Sequence, residues 1–111
     1  MRRAATTGKM SEAEFMRQVI QFAKLHRWRV AHFRPGLTRK GRWLTAVQGD
    51  GTGFPDLILI RGTCLIAAEL KVGANKLTPE QREWLADFQL AGVPAFEWRP
   101  TDWPQIEEVL A

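Results

Sequence analysis

Two apolar runs separated by a short turn constrain the fold of this chain more than any other feature. The runs cover residues 56–60 and 64–71, and both carry apolar side chains at odd and at even positions. A strand with two apolar faces needs cover on both sides, as in the centre of a helix-flanked sheet. A two-residue loop at Gly62-Thr63 would pair Arg61 with Cys64. The pattern therefore predicts a buried hairpin.

Two capping boxes predict where helices begin. Ser11 is followed three residues later by Glu14, and Thr78 is followed by Gln81, with Pro79 at the first helical position. In such a box, each side chain satisfies a free amide group of the first helical turn. Apolar residues at helical spacing extend the first pattern to about residue 26.

The remaining elements follow from alternation and from breaker residues. Strands are predicted at 28–34, where Pro35-Gly36 ends the pattern, at 94–99, and for a short stretch at 43–47. A last short helix is predicted from about Asp102. The order α-β-(β)-β-β-α-β-α predicts an α/β fold, a mixed sheet flanked by helices.

Length and composition predict one globular domain. With 45% hydrophobic and 25% charged residues, 111 residues can form a core without disulfides. We expect a flexible basic tail over residues 1–10 and a single domain over 11–111. No apolar stretch approaches the roughly 20 residues that span a bilayer, so we expect a cytoplasmic protein that does not bind membranes. The only cysteine, Cys64, lies in an apolar run and is expected to be a buried packing residue.

Basic residues are concentrated in one part of the chain. The net charge is +4, and eight Lys or Arg but no Asp or Glu lie between Glu14 and Asp50. This asymmetry predicts a face that binds the phosphates of DNA; an ordinary solvated charge run is the alternative. The candidate DNA-binding residues lie on the predicted strand and in the basic loop that follows it: His32, Arg34, Arg39, Lys40 and Arg42.

The hairpin register brings two acids and a lysine together. Counting outward from the turn places Asp56 opposite Glu69, with Cβ atoms about 4.5–5.5 Å apart, and Lys71 projects to the same face. Two carboxylates about 4 Å apart repel by roughly 4 kcal/mol at an effective dielectric near 20. Oxygen ligands on strands suit Mg²⁺ or Mn²⁺, so a divalent cation is the expected compensation. In the alternative, Asp56 ends a loop, Glu69 pairs with Lys71, and neither acid meets a metal.

This set of residues fits phosphodiester hydrolysis. The reaction needs the anionic oxygens neutralised, a water activated and the leaving alkoxide stabilised. A metal held by Asp56 and Glu69 can serve the first two needs. Lys71 can hold the attacking water or offset the charge that grows in the transition state.

The segment Gly53-Phe54-Pro55-Asp56, followed by Glu69-Leu70-Lys71, resembles the PD-(D/E)xK nuclease superfamily, whose αβββαβ restriction-endonuclease-like core has a similar order of elements. More narrowly, the chain resembles a stand-alone VRR-NUC domain of the phage or bacterial type. Glu14 matches the helical Glu of that family, and Gln81, ahead of Trp84, matches its helical Gln. The resemblance spans about residues 11–99.

The resemblance implies further roles at the site. The carbonyl of Leu70 would also face the metal, Glu14 would complete the metal site, and Gln81 would orient Lys71 or the scissile phosphate. Helix capping alone could explain both Glu14 and Gln81. A functional role is favoured for Gln81 because it lies on an apolar helix face, where a polar group needs a reason.

The resemblance also implies a substrate and an assembly. It implies a Mg²⁺- or Mn²⁺-dependent endodeoxyribonuclease that is selective for branched DNA such as four-way junctions. It also implies a homodimer in a bacterial or phage-infected cell. Two alternatives stay open: a non-catalytic DNA-binding module, and a nuclease that acts on flaps, ends or RNA.

Overall fold

A computed structural model of the chain describes residues 10–33, 36–37, 43–44 and 49–111, with backbone only for 36–37 and 43–44. The elements, in chain order, are α1 (Glu12–Leu25), β1 (Arg29–His32), β2 (Gly36–Leu37), β3 (Trp43–Leu44), β4 (Leu57–Arg61), β5 (Cys64–Leu70), α2 (Pro79–Leu90), β6 (Ala95–Trp98), a 3-10 turn (Pro100–Asp102) and α3 (Trp103–Leu110).

The predicted hairpin forms the centre of a mixed sheet. The strand order is β1-β4-β5-β6, with β1 and β5 antiparallel to β4 and with β6 parallel to β5. Helices flank this sheet, so the α/β prediction is confirmed. β1 is shorter than predicted, and β3 pairs with β2 in a separate two-stranded sheet. The sequence does not predict β2, because Pro35-Gly36 is typical of the end of a strand and not of its beginning.

The register of the hairpin is the one predicted from its turn. Arg61 pairs with Cys64, and the ladder continues to Leu57 opposite Ala68. Gly62 takes a φ of +62°, the left-handed conformation that such a two-residue loop needs. The next pair beyond the ladder is Asp56 and Glu69, which therefore lie at the same end of the hairpin.

The two faces of the sheet carry cores of different size. The larger core lies between the sheet and helices α1 and α3, and it includes Phe15, Val19, Leu57, Leu59, Leu70, Trp98, Ile106 and Leu110. The smaller core lies under α2 and consists of Ala67, Leu85 and Ala95, with Ile58, Leu77 and Phe88 packed against it. Since strand residues alternate between faces, Glu69 shares the α2 face with Ala67.

The capping boxes form as the sequence predicts. Ser11 caps α1 and Thr78 caps α2, each with both reciprocal hydrogen bonds. Neither α1, α2 nor α3, the helices that the structure describes, is long and apolar enough to cross a membrane.

The prediction that Cys64 is a buried packing residue is wrong, because its side chain is exposed. It is the first residue of β5, at the tip of the hairpin, and burial along β5 begins only two residues later. An apolar run predicts a strand, but it does not say how far the flanking helices extend over that strand.

Candidate active site

Asp56 and Glu69 lie side by side at the end of the hairpin. The backbone amide of Leu70 donates a hydrogen bond to Oδ2 of Asp56 at 2.9 Å, which fixes the aspartate against β5. The carbonyl of Asp56 in turn accepts a hydrogen bond from the amide of Phe33, at 2.8 Å, from the end of β1. Asp56 is thus held by the strands on both sides of it.

Glu69 is the one buried charged or polar residue of the described chain, with 2% of its surface exposed. Its two carboxylate oxygens differ in their surroundings. Oε2 lies 3.7 Å from the Nζ of Lys71 and accepts a hydrogen bond from the Nε2 of Gln81 at 3.0 Å. Oε1 is buried and has no hydrogen-bond partner among the described residues. One oxygen of this buried carboxylate therefore lacks a hydrogen bond from the described residues.

The carboxyl pair is electrostatically unfavourable when both groups are charged. Burial raises the pKa of Glu69 to about 8, the negative charge of Asp56 adds to the rise, and the ammonium of Lys71 opposes it. Burial likewise raises the pKa of Asp56, against the lowering effect of the Leu70 amide. A positive charge beyond that of Lys71 is needed to keep both acids ionised at neutral pH.

Gln81 has two roles at once. Its backbone amide and its Oε1 complete the capping box with Thr78, and its Nε2 donates to Glu69. Because it is the third residue of α2, its side chain reaches the α2 face of β5. Capping, one of the two explanations that the sequence offered for Gln81, is confirmed. Its side-chain contact is to Glu69, and the role of orienting Lys71 or the scissile phosphate stays a prediction.

A close approach of Gly53 fixes the start of α2 against the loop that carries Asp56. Gly53 has a φ of +85°, and a Cβ at this position would lie 2.6 Å from the carbonyl carbon of Glu80 and 2.7 Å from the amide nitrogen of Gln81. No side chain fits there. The glycine therefore brings Asp56 and Gln81, which are distant in sequence, to opposite sides of the same site.

Aromatic packing supports the same loop, and sequence reasoning missed it. Phe54 packs edge-on against Phe33, Trp84 and Phe88, with ring centroids 5.0–5.9 Å apart. The indole Nε1 of Trp84 donates to the carbonyl of Asp50 at 3.1 Å. The signal was the spacing of Trp84 and Phe88 on one helix face, which shows an apolar stripe but not its partner.

The structure does not bring Glu14 to the carboxyl pair. Its side chain accepts a hydrogen bond from the amide of Ser11 at 3.0 Å, within the capping box. In the part of the chain that the structure describes, no three His, Cys, Asp or Glu side chains form a group that could hold a metal ion. The α1 acid that affects Asp56 is Glu12, which sequence reasoning did not single out: burial raises the pKa of Asp56 most, and the charge of Glu12 raises it further.

The predicted DNA-binding residues are only partly described. His32 is exposed at the end of β1 and pairs with Leu57, so strand alternation places it on the α1 face of the sheet. The other four candidates, Arg34, Arg39, Lys40 and Arg42, lie outside the described residues.

Comparison with known families identifies the domain. The family model of the VRR-NUC domain matches residues 17–100, about three quarters of the chain. The matched region contains Asp56, Glu69, Lys71 and Gln81, and it begins after Glu12 and Glu14. No curated protein and no solved structure matches the chain.

Proposed function

Because this chain belongs to the VRR-NUC family, we propose that it is a metal-dependent endonuclease that hydrolyses phosphodiester bonds of DNA, with a preference for branched DNA such as four-way junctions. The observation that carries the proposal is the buried Oε1 of Glu69, which has no hydrogen-bond partner among the described residues. This side chain lies beside Asp56, and its other oxygen, Oε2, lies 3.7 Å from the Nζ of Lys71.

The carboxyl pair fits a divalent cation. A buried acceptor without a partner costs about 1–3 kcal/mol or more when it is charged, and burial raises the pKa of both acids. A cation bound between them would supply the missing partner and the missing positive charge. Carboxylate oxygens suit Mg²⁺ or Mn²⁺. Asp56 and Glu69 would hold the ion, and the Leu70 carbonyl is a third candidate ligand.

Each side chain of the site then has a separate task. The bound cation would neutralise phosphate charge and lower the pKa of a bound water. Lys71, whose side chain is only 12% exposed, presents its ammonium to the scissile phosphate or to the attacking water. Gln81 holds Oε2 of Glu69, so Oε1 is the oxygen that would hold a cation. The N–H of Leu70 keeps Asp56 in place.

Of the two acids in the first turn of α1, Glu12 and not Glu14 is proposed to influence the site, through its charge and not as a ligand. Glu12 acts electrostatically on Asp56, whereas Glu14 is engaged with Ser11 at the start of α1. Glu12→Gln should therefore raise the Mg²⁺ concentration that cleavage requires more than Glu14→Gln, which changes an acid in the same helical turn. The equilibrium constants for Mn²⁺ binding by both variants would decide between the two acids.

DNA binding is assigned to the basic segment before the site. Positive charge between β1 and the loop that carries Gly53 and Asp56 comes from Arg34, Arg39, Lys40 and Arg42. His32 lies at the end of β1, one residue before Phe33, whose amide donates a hydrogen bond to the carbonyl of Asp56. Contacts from such residues to phosphates orient the substrate without reading its sequence.

Cleavage of branched DNA on two strands requires two sites. The chain carries one Asp56–Glu69 pair, so a homodimer is proposed, on the basis of the resemblance to stand-alone VRR-NUC domains. Size-exclusion chromatography with light scattering, with and without a four-way junction, measures this directly.

Cleavage of a labelled panel tests the proposed function. A four-way junction, a flap, a duplex and a single strand are incubated with Mg²⁺, Mn²⁺ or EDTA, using the wild type and Glu69→Gln. We expect metal-dependent cutting of the junction that is lost in the variant. Cutting of other forms only would remove the junction preference and keep the site. DNA binding without cutting under every metal condition would favour a non-catalytic module.

A further inference from the structure

We propose that Arg99 is a positioning residue of this site, which fixes the spacing between Lys71 and Gln81 by clamping the loop that joins them. The inference rests on the proposed nuclease function and extends it to a residue outside the family motifs. The relevant loop, residues 72–78, connects the end of β5 to the start of α2.

This loop has little support of its own. Residues 73–76 are exposed, and only Val72 and Leu77 are half-buried. The described hydrogen bond within the loop is long, at 3.3 Å from the amide of Asn75 to the carbonyl of Val72. Lys71 and Gln81, which both face Glu69, are therefore joined by a segment whose ends pack against the cores and whose middle, residues 73–76, is exposed.

The guanidinium of Arg99 supplies the missing support. Its Nη1 donates to the carbonyl of Gly73 at 3.2 Å, and its Nη2 donates to the carbonyl of Asn75 at 2.6 Å. The Oε2 of Glu97 lies 2.8 Å from the same Nη2 and orients the guanidinium. Charged donors make stronger and more directional hydrogen bonds. A planar guanidinium that holds two carbonyls and a carboxylate therefore fixes the direction of the loop carbonyls as well as their distance from Arg99.

The sheet places this clamp beside the site. Glu97 pairs with Glu69 across the parallel β5–β6 ladder, and the amide of Lys71 donates to the carbonyl of Trp98 at 2.9 Å. Alternation puts Glu97 and Arg99 on the face that carries Glu69 and Lys71. The backbone of Arg99 is itself held, because its amide donates to Oδ2 of Asp102 at 2.9 Å.

Loss of the clamp should reduce the rate of the reaction more than the binding of DNA. Without Arg99 the carbonyls of Gly73 and Asn75 can turn towards water. The distance between Lys71 and Gln81, which lie on either side of Glu69, would then no longer be fixed. A displacement of about 1 Å at reacting groups can cost 100-fold in rate. The guanidinium itself is already committed to the two carbonyls and to Glu97, so it is not expected to bind phosphate.

The kinetic test compares Arg99→Ala and Arg99→Lys with the control Arg82→Ala. Arg82 is an exposed arginine that donates to the carbonyl of Leu77, at the other end of the same loop, over 3.5 Å. Well below the melting temperature, we expect kcat to fall at least about tenfold in Arg99→Ala, with KM for DNA within about twofold. Arg99→Lys should stay impaired, since one ammonium cannot hold the fork. Arg82→Ala should cleave like the wild type.

Two kinetic results would overturn the proposal. Wild-type kcat in Arg99→Ala would show that the loop needs no clamp. Recovery in Arg99→Lys, together with a raised KM in Arg99→Ala, would make Arg99 a contact for the phosphate charge.

A second measurement does not depend on cleavage. In ¹H–¹⁵N spectra, the side-chain amide of Gln81 reports its hydrogen bond to Glu69. We expect Arg99→Ala to shift or broaden this signal and Arg82→Ala to leave it unchanged. An unchanged signal in Arg99→Ala contradicts the clamp even if the wild type is inactive. A changed signal in a chain that cuts no DNA refutes the nuclease function and leaves the clamp in place.

Discussion

Glu69 is the residue on which the other site residues converge. Lys71 and Gln81 both lie against Oε2, and Asp56 lies beside Glu69, one residue before β4. A carboxylate so buried is retained at the expense of stability unless a cation balances it. The stability of the metal-free protein should therefore report chiefly the protonation of this side chain.

The free energy of unfolding in EDTA should decrease as pH rises from about 5 to 8. The pKa of Glu69 is about 8 in the folded chain and 4.5 ordinarily, so between these values the folded state keeps a proton that the unfolded state has lost. The stabilisation is complete below pH 4.5 and is lost as pH rises through 8, with a slope of at most about 1.4 kcal/mol per pH unit.

Glu69→Gln removes this titrating group and should flatten the dependence of the free energy of unfolding on pH. A smaller dependence should remain, because the pKa of Asp56 is also raised. Urea denaturation at several pH values measures it, with Glu108→Gln, an exposed acid of α3, as the control. A wild-type slope in Glu69→Gln would mean that Glu69 is ionised at neutral pH.

The two roles of Gln81 can be separated by two substitutions. Gln81→Glu keeps the capping box, since Glu is a natural third residue of that box, but it loses the donor to Glu69. Cleavage should fall about 10–100-fold, as for groups that hold a metal ligand. Thr78→Ala does the opposite: it should lose about 1 kcal/mol of stability and cut DNA nearly as the wild type does. Equal loss of cleavage in both variants would make helix capping the whole function of Gln81.

At the scale of elements, the site depends on how closely the loop before β4 approaches α2. Gly53→Ala places a Cβ within 2.7 Å of the α2 backbone, whereas the same change at Gly62, also at positive φ, meets nothing within 4 Å. Both variants should lose about 1–2 kcal/mol of stability because alanine disfavours the left-handed conformation. Gly53→Ala should lose about 1–3 kcal/mol more, because its Cβ overpacks the contact with α2.

Cleavage should fall in Gly53→Ala and persist in Gly62→Ala, because only the first change displaces Gln81 from Glu69. Denaturation curves and initial rates for the two variants, measured at one temperature, provide the comparison. Similar losses of stability in both variants would show that the backbone at the start of α2 can move to make room for the added Cβ.

Local rules predicted the parts of the fold that depend on neighbouring residues. The register of the hairpin follows from its turn, and the starts of α1 and α2 follow from their capping boxes. The exposure of Cys64, the β2–β3 pairing and the position of Glu12 depend on how elements pack in space, which periodicity does not encode. Asp56 and Glu69 were predictable together because one short turn joins their strands.

Acidic and basic residues are concentrated in different segments of the chain. A cleft of about 470 Å³ beside α2 is lined by Gly49, Asp50, Thr52, Glu80, Glu83, Trp84 and Asp87. Its acidic side chains repel phosphates, whereas the basic segment between His32 and Asp50 contains no acid and four basic residues, Arg34, Arg39, Lys40 and Arg42. DNA is therefore expected to bind the basic segment and to avoid the acidic cleft beside α2.

Salt dependence of binding should locate the residues that bind DNA. Replacing Arg39, Lys40 and Arg42 by Ala should reduce the slope of log K against log salt by about 0.9 for each phosphate that is no longer neutralised. Lys24→Ala with Arg29→Ala is the control: both residues are exposed, and Arg29 pairs with Ile60, towards the hairpin tip and away from Asp56. Fluorescence anisotropy in EDTA measures both. An unchanged slope in the triple variant would remove these residues from the interface.

The exposed position of Cys64 has a practical consequence. It is the only thiol in these 111 residues, and it lies five residues along β5 from Glu69, about 17 Å away at strand spacing. A nitroxide or fluorophore attached there would leave the carboxyl pair untouched. In a symmetric pair of subunits such a label would give one interspin distance, so a single spectroscopic measurement could describe both the assembly and its response to DNA.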